Sequence, residues 1–309
     1  MATPVLIDTD AAADAAVGLA LALASKELDV RAVVGVAGSV PLNQAVANIS
    51  RLLEAIRPPR LPAVGLGLEQ SGAGLKDRRG IFGPDGLGGW AQATPANIPP
   101  GHFDKVYDEA IREGGGELVI LSLGPLTNPA AMLENSPDAF AKVKRVFVTG
   151  GAVWCRGNVT DRVEFNFHRD PAAAARVMES GLPITVAPLD VTGLVCLDES
   201  HVAHLAACGF RTGEVPAARL EHALEYDGEP AYGKTFIAPS VTVGSLLWPQ
   251  LFMKTRMQLQ VTVEGMEAGR TKPALGADKT KQVDLLTALN AADFLEKLLE
   301  SICHEAFVV

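Results

Sequence analysis

Val5-Leu6-Ile7-Asp8-Thr9-Asp10-Ala11-Ala12-Ala13-Asp14-Ala15 joins a short apolar run to an Ala/Leu-rich stretch through three carboxylates in seven residues. The apolar run predicts a strand, and residues 14–28 predict a helix. Outward from there the rhythm repeats: residues 30–36 read as a strand and 43–56 as a helix. Leu118-Val119-Ile120-Leu121-Ser122-Leu123 is the next strand, followed by a helix near residues 128–133. Val146-Phe147-Val148 and Ile184-Thr185-Val186 read as further buried strands, 258–263 as a late strand and 291–302 as a terminal amphipathic helix. Continuous apolar strands separated by helices predict an α/β protein. Its sheet is open, mostly parallel and Rossmann-like, with helices on both faces. No repeat, low-complexity tract or linker divides the chain, so residues 1–309 are expected to form a single domain, with 65–89 and 211–232 as long loops.

Composition narrows the function. The 309 residues carry 27 Lys and Arg against 36 Asp and Glu, a formal charge of −9. The basic stretches Lys76-Asp77-Arg78-Arg79 and Lys142-Val143-Lys144-Arg145 are short and interrupted, which argues against a nucleic-acid partner. No apolar run approaches the roughly 18 residues of a membrane span, and Met1-Ala2-Thr3-Pro4 lacks the basic start of a secretory signal. Cys155, Cys196, Cys208 and Cys303 lie far apart, which excludes a zinc ribbon and predicts free thiols in a reducing cytoplasm.

Open α/β sheets bind ligands beyond the carboxyl ends of their strands, and three such segments carry unusual residues. Asp8, Asp10 and Asp14 stand at a strand-to-helix turn. Carboxylates so close repel unless neutralised or hydrogen-bonded, which points to a metal or sugar-hydroxyl site; helix capping accounts for one of them, or two. Phosphoryl transfer on such a pair wants Thr or Ser at position 12, which is Ala. Gly150-Gly151-Ala152, Gly157-Asn158-Val159-Thr160 and Glu164-Phe165-Asn166 supply short donors and acceptors suited to polyol hydroxyls. Each asparagine alone reads better as part of a polar loop capping its own backbone. Gly124-Pro125-Leu126-Thr127-Asn128 is a tight strand-to-helix turn.

Together these fragments resemble the nucleoside hydrolases, the inosine-uridine-preferring family, from Val5 almost to the end. Val40-Pro41-Leu42, Asp85-Gly86-Leu87-Gly88, Asp170-Pro171 and Leu189-Asp190-Val191-Thr192 fall in the same order and spacing. The resemblance implies hydrolysis of the N-glycosidic bond of ribonucleosides with a bound calcium ion. It assigns calcium binding and water activation to Asp10, ribose contacts to Asp14, Asn158, Glu164 and Asn166, and a metal-binding carbonyl to Thr127. It also implies a homo-oligomer, dimer or tetramer, acting on a small nucleoside or ribosyl compound.

The sequence departs from the family where the metal sits. Ala15 replaces a second adjacent aspartate, and Phe236-Ile237-Ala238-Pro239-Ser240 replaces a His-Asp-Pro stretch, so Ala238 stands for another ligand. Ser39 replaces Asn and Phe82 replaces His. Calcium takes about six to eight oxygens, and only Asp10 and the Thr127 carbonyl remain, so no bound calcium is expected. Without it, water keeps a pKa near ~15.7 and the rate should fall on the order of 10³-fold. Two functions remain open: a ribosyl hydrolase with metal-free water activation through Asp10, or a non-catalytic ribosyl-binding protein or partner subunit. Lys234 is the nearest replacement cation by sequence. His168 and the pair His201 and His204 read as helix or loop residues rather than ligands. Trp154, Tyr226 and Tyr232 are candidates for base stacking or for packing.

Overall fold

The computed structural model describes residues 2–70, 77–90, 98–207, 234–274 and 278–304. Its strands are β1 (Thr3–Thr9), β2 (Leu28–Gly35), β3 (Ala63–Leu66), β4 (Gly101–His102), β5 (Val119–Ser122), β6 (Arg145–Thr149), β7 (Ile184–Ala187), β8 (Cys196–Asp198), β9 (Lys234–Phe236), β10 (Phe252–Met257), β11 (Leu259–Val261), β12 (Thr271–Pro273) and β13 (Val283–Leu289). The helices are α1 (Ala13–Ala24), α2 (Leu42–Ile56), α3 (Arg79–Phe82), α4 (Phe103–Gly114), α5 (Thr127–Asn135), α6 (Pro137–Phe140), α7 (Phe165–Arg169), α8 (Pro171–Met178), α9 (Leu189–Thr192), α10 (Glu199–Ala207), α11 (Ala238–Leu247) and α12 (Ala291–His304).

Nine strands form one sheet in the order β10-β13-β7-β6-β5-β1-β2-β3-β4. All pairs are parallel except the edge pair β10 and β13, which is antiparallel. The order reverses at β1, which lies between β5 and β2. A doubly wound sheet opens a crevice at such a switch point, so the carboxyl end of β1 is where a ligand belongs.

Alternation along β1 explains its wholly apolar start. Val5 and Ile7 pack with residues of α1, α2, α11 and α12 on one face. Leu6 packs on the other with Phe103 and Tyr107 of α4, Met132 of α5 and Val177 of α8. A strand covered on both faces has no polar side to show, and each such side chain contributes ~1.5–3 kcal/mol by leaving water. The expected α/β architecture is what the chain adopts.

Some boundaries move. The first helix stops at Ala24 rather than 28, because Ser25 is extended and a turn from Ser25 brings Leu28 into β2. The strand expected at 258–263 is β11, which pairs with β12 in a separate ribbon. Residues 211–232 and the two tyrosines in them lie outside the described residues. Cys155 and Cys196 are free thiols, but Cys303 is disulfide-bonded, which departs from the expectation of four free cysteines. Among the described residues no helix is long and apolar enough to cross a membrane.

Candidate active site

The turn after β1 is built by distant backbone. Ala11 takes a left-handed φ of 48°, which costs an L-residue ~1–2 kcal/mol. Its carbonyl accepts from Asn48 Nδ2 at 3.1 Å, and Ala13 N–H donates to the Gly86 carbonyl at 2.9 Å. α1 begins without a side-chain cap, with Asp14 in its first turn near the positive helix end. Asp14 Oδ1 accepts from Ala15 N–H at 3.0 Å, so the first-turn role that a purely structural account gives an aspartate is met here.

Asp10 is buried, and its Oδ2 accepts from Ser39 N–H at 2.7 Å. Gly38 is needed there, since a Cβ would lie 2.5 Å from Asp10 Oδ2. Two residues earlier Asp8 is fully buried under the sheet crossing. Its Oδ2 accepts from Tyr107 Oη at 2.7 Å and Asn128 Nδ2 at 2.8 Å. Burial pushes its carboxyl up to about 7, and the nearby Asp10 adds to that, against the two hydrogen bonds that lower it.

Asp10 and Asp14 line a cavity with Ser39, Arg78, Asn158, Glu164, Asn166, Ala238 and neighbours from β5, β6 and α9. The sequence-predicted set thus converges on one place at the carboxyl ends of the central strands. Its members have local duties as well. Glu164 caps α7: Oε1 accepts from Asn166 N–H at 2.9 Å, and Oε2 from Gly151 N–H at 2.9 Å and Phe167 N–H at 3.1 Å. Burial raises its pKa, while those amides and Arg78 act the other way. Asn158 Oδ1 accepts from Phe165 N–H at 2.9 Å, and Asn166 Nδ2 donates to the Thr149 carbonyl at 3.0 Å. Both of the sequence accounts, loop capping and site lining, hold at once.

The cationic residue is not the one expected. Lys234 is exposed on β9 and does not line the cavity. Arg78 does line it; burial lowers its pKa, while Glu164, Asp14 and Asp10 favour its charge. Sequence reasoning dismissed Arg78 as part of an interrupted basic stretch. Thr127 also stands apart from the cavity lining, with its Oγ1 donating to Asp170 Oδ2 at 2.8 Å.

Calcium does not fit this donor set. Ala238 offers the cavity no side-chain oxygen, Ala15 is buried on α1, and Glu164 is already taken by three amides. Among the described residues no group of three or more His, Cys, Asp or Glu could hold a metal ion. The histidines agree with their plain reading: His168 Nδ1 meets the Ala268 carbonyl at 3.0 Å, and His201 Nδ1 meets Asp198 Oδ1 at 2.7 Å. Trp154 is 58% exposed on the loop after β6, and is therefore not a packing residue.

An open α/β sheet with a carboxylate- and amide-lined cavity at its switch point defines a class: a small-molecule site of the doubly wound kind. The model of the inosine-uridine preferring nucleoside hydrolase family matches residues 5–296, and the chain belongs to that family. It is 32% identical over 270 residues to the pyrimidine-specific ribonucleoside hydrolase RihA of Salmonella agona (strain SL483), covering 86% of each chain. Among solved structures it is similar to the plant nucleoside hydrolase PpNRh1 enzyme, with TM-score 0.89 and 25% identity over 98% of this chain and 99% of that one. A purine-preferring ribonucleoside hydrolase from Gardnerella vaginalis has the same fold, with TM-score 0.89 and 23% identity over 98% of each chain.

Proposed function

We propose that this chain binds a nucleoside or related ribosyl compound in the cavity at the end of β1, and that the family's calcium-dependent hydrolysis is lost. The observation that carries the reading is the makeup of the cavity lining. Asp10, Asp14, Asn158, Glu164 and Asn166 meet there, and Ala238 and Arg78 belong to the same lining. Asp14, Asn158, Glu164 and Asn166 are the proposed sugar contacts. Asn158 and Asn166 each keep an amide donor or acceptor beyond their local hydrogen bonds. Asp10 is the proposed base for whatever hydrolysis survives, and without a metal-activated water it is a weak one. Self-association of the chain is part of the proposal and rests on family membership.

The test is free-ribose release from a panel of purine and pyrimidine nucleosides, with added calcium and with chelator in parallel, alongside calorimetric binding of the same nucleosides. Binding without calcium-stimulated release is the expected result. Calcium-dependent turnover would show that other residues rebuild the metal site and would overturn the reading. Turnover indifferent to chelator and abolished by Asp10→Asn would establish metal-free hydrolysis in its place.

A further inference from the structure

Arg78 is held in the cavity from three sides. Its backbone N–H donates to the Ser39 carbonyl at 2.8 Å, while Ser39 N–H donates to Asp10 Oδ2 at 2.7 Å. One residue therefore fixes both the Arg78 backbone and the Asp10 carboxylate. Arg78 Nη2 donates to the Asn158 carbonyl at 3.1 Å, and its Cζ lies 4.0 Å over the Phe165 ring. A planar guanidinium suits this combination of stacking and forked donation, which an ammonium would serve poorly. The carboxylates whose charge it feels are Glu164, Asp14 and Asp10, all lining the same cavity. Arg169 also feels Asp10, but it does not line the cavity, and its Nη2 donates to Gln70 Oε1 at 2.9 Å.

A cluster of carboxylates needs a counter-charge, and the loss of two acidic positions lowers that need without removing it. We propose that Arg78 is the built-in cation of this site: its guanidinium balances Asp10, Asp14 and Glu164 and makes the ribosyl cavity independent of a divalent ion. The consequence for chemistry has a definite sign. Glycosidic cleavage builds positive charge on the sugar ring, and a fixed positive group in the cavity opposes it. The remaining volume is about 40 Å³, room for roughly three waters at ~10–15 Å³ each.

The inference rests on the ribosyl-site reading for its location, but its test contains no sugar. Melting temperatures are measured for the wild type, Arg78→Lys and Arg78→Met, and again with Asp10→Asn and Asp14→Asn in the background. Lys keeps the charge and Met keeps the apolar stem. Arg78→Met should melt roughly 2–4 °C below Arg78→Lys, and that gap should narrow when the two aspartates are neutralised, Glu164 remaining. In a second measurement Arg78→Gly is titrated with methylguanidinium at constant ionic strength. A saturable rise in melting temperature, absent from the wild type, is expected. Equal melting of the Lys and Met variants overturns the proposal, and so does a gap of unchanged size without the aspartates. An Arg78→Gly response identical to wild type overturns it as well. Ribose release, or its absence, moves none of these results.

Discussion

Asp8 makes the sharpest quantitative prediction, because it is a carboxyl held where a charge is costly. It is fully buried; both of its hydrogen-bond donors, Tyr107 and Asn128, bind Oδ2, and Oδ1 has no hydrogen-bond partner. Ser122, its neighbour in β5, has an equally unpartnered Oγ. The arrangement suits a protonated acid, with Oδ2 as acceptor and the proton on Oδ1. Burial is the main cause of its rise from 3.8 to about 7. Between those values the folded chain binds a proton that the unfolded chain releases, so its contribution to stability is full below about pH 4 and is lost as pH rises to about 7. At ~1.36 kcal/mol for each pH unit, the loss is at most ~4 kcal/mol. Asp8→Asn mimics the neutral acid and cannot ionise. Urea unfolding of both proteins at pH 5 and pH 8 isolates this group, since all other titrations cancel in the difference. The wild type should lose stability relative to Asp8→Asn over that interval, and the variant should be the more stable at pH 8. Stabilities that change in parallel would show that Asp8 titrates as an ordinary carboxylate and would refute the argument.

Ala15→Asp with Ala238→Asp should create calcium affinity measurable by calorimetry that neither single change gives; without calcium the pair should melt below wild type, because Ala15 is buried. Glu164→Gln replaces one of the two oxygens that together accept from Asn166, Gly151 and Phe167 N–H with an NH2 donor, and unfolding in urea should show a loss of ~2 kcal/mol. Ala11→Gly relieves a left-handed φ of 48° at the cost of glycine's unfolded-state entropy, so a gain of ~0.5–1 kcal/mol is expected from the same assay.

How far the fold could be read depended on how each strand is buried. β1, β5, β6 and β7 are apolar on both faces and stood out from the sequence alone. β13, Val-Asp-Leu-Leu-Thr-Ala-Leu, carries Asp284 as its second residue, where Arg145 Nη1 at 2.9 Å and Lys254 Nζ at 2.8 Å neutralise it. β10, with Lys254 and Arg256, is the sheet edge, where charge discourages further pairing. Both strands are made acceptable by partners far along the chain, so no local pattern announced them. The ribosyl side of the site was legible for the opposite reason. Three of the four proposed sugar contacts cluster within nine positions, 158–166, in a loop that caps itself, and a self-capping loop is a local property.

The cation was not local in that sense. Arg78 sits 68 residues from Asp10 and 86 from Glu164 along the chain, and it reaches them only because Ser39 binds its backbone and Phe165 supports its plane. Gly18 shows how closely the same region is packed on the other side: a Cβ there would lie 3.0 Å from the Pro239 carbonyl carbon. That contact locks α1 to α11, and so sets the two alanines, Ala15 three residues before Gly18 and Ala238 next to Pro239, on facing stretches of the same helix pair. A metal ion held between these helices would tie them together, and here apolar contact does so instead. On the proposed reading, alanine at positions 15 and 238, retention of Asp10 and Asp14, and Arg78 in the same cavity lining form one electrostatic solution. Restoring acidic residues while Arg78 stays in place sets a fixed positive charge beside the ion, so the calcium affinity of the double aspartate variant should rise further when Arg78 is also neutralised.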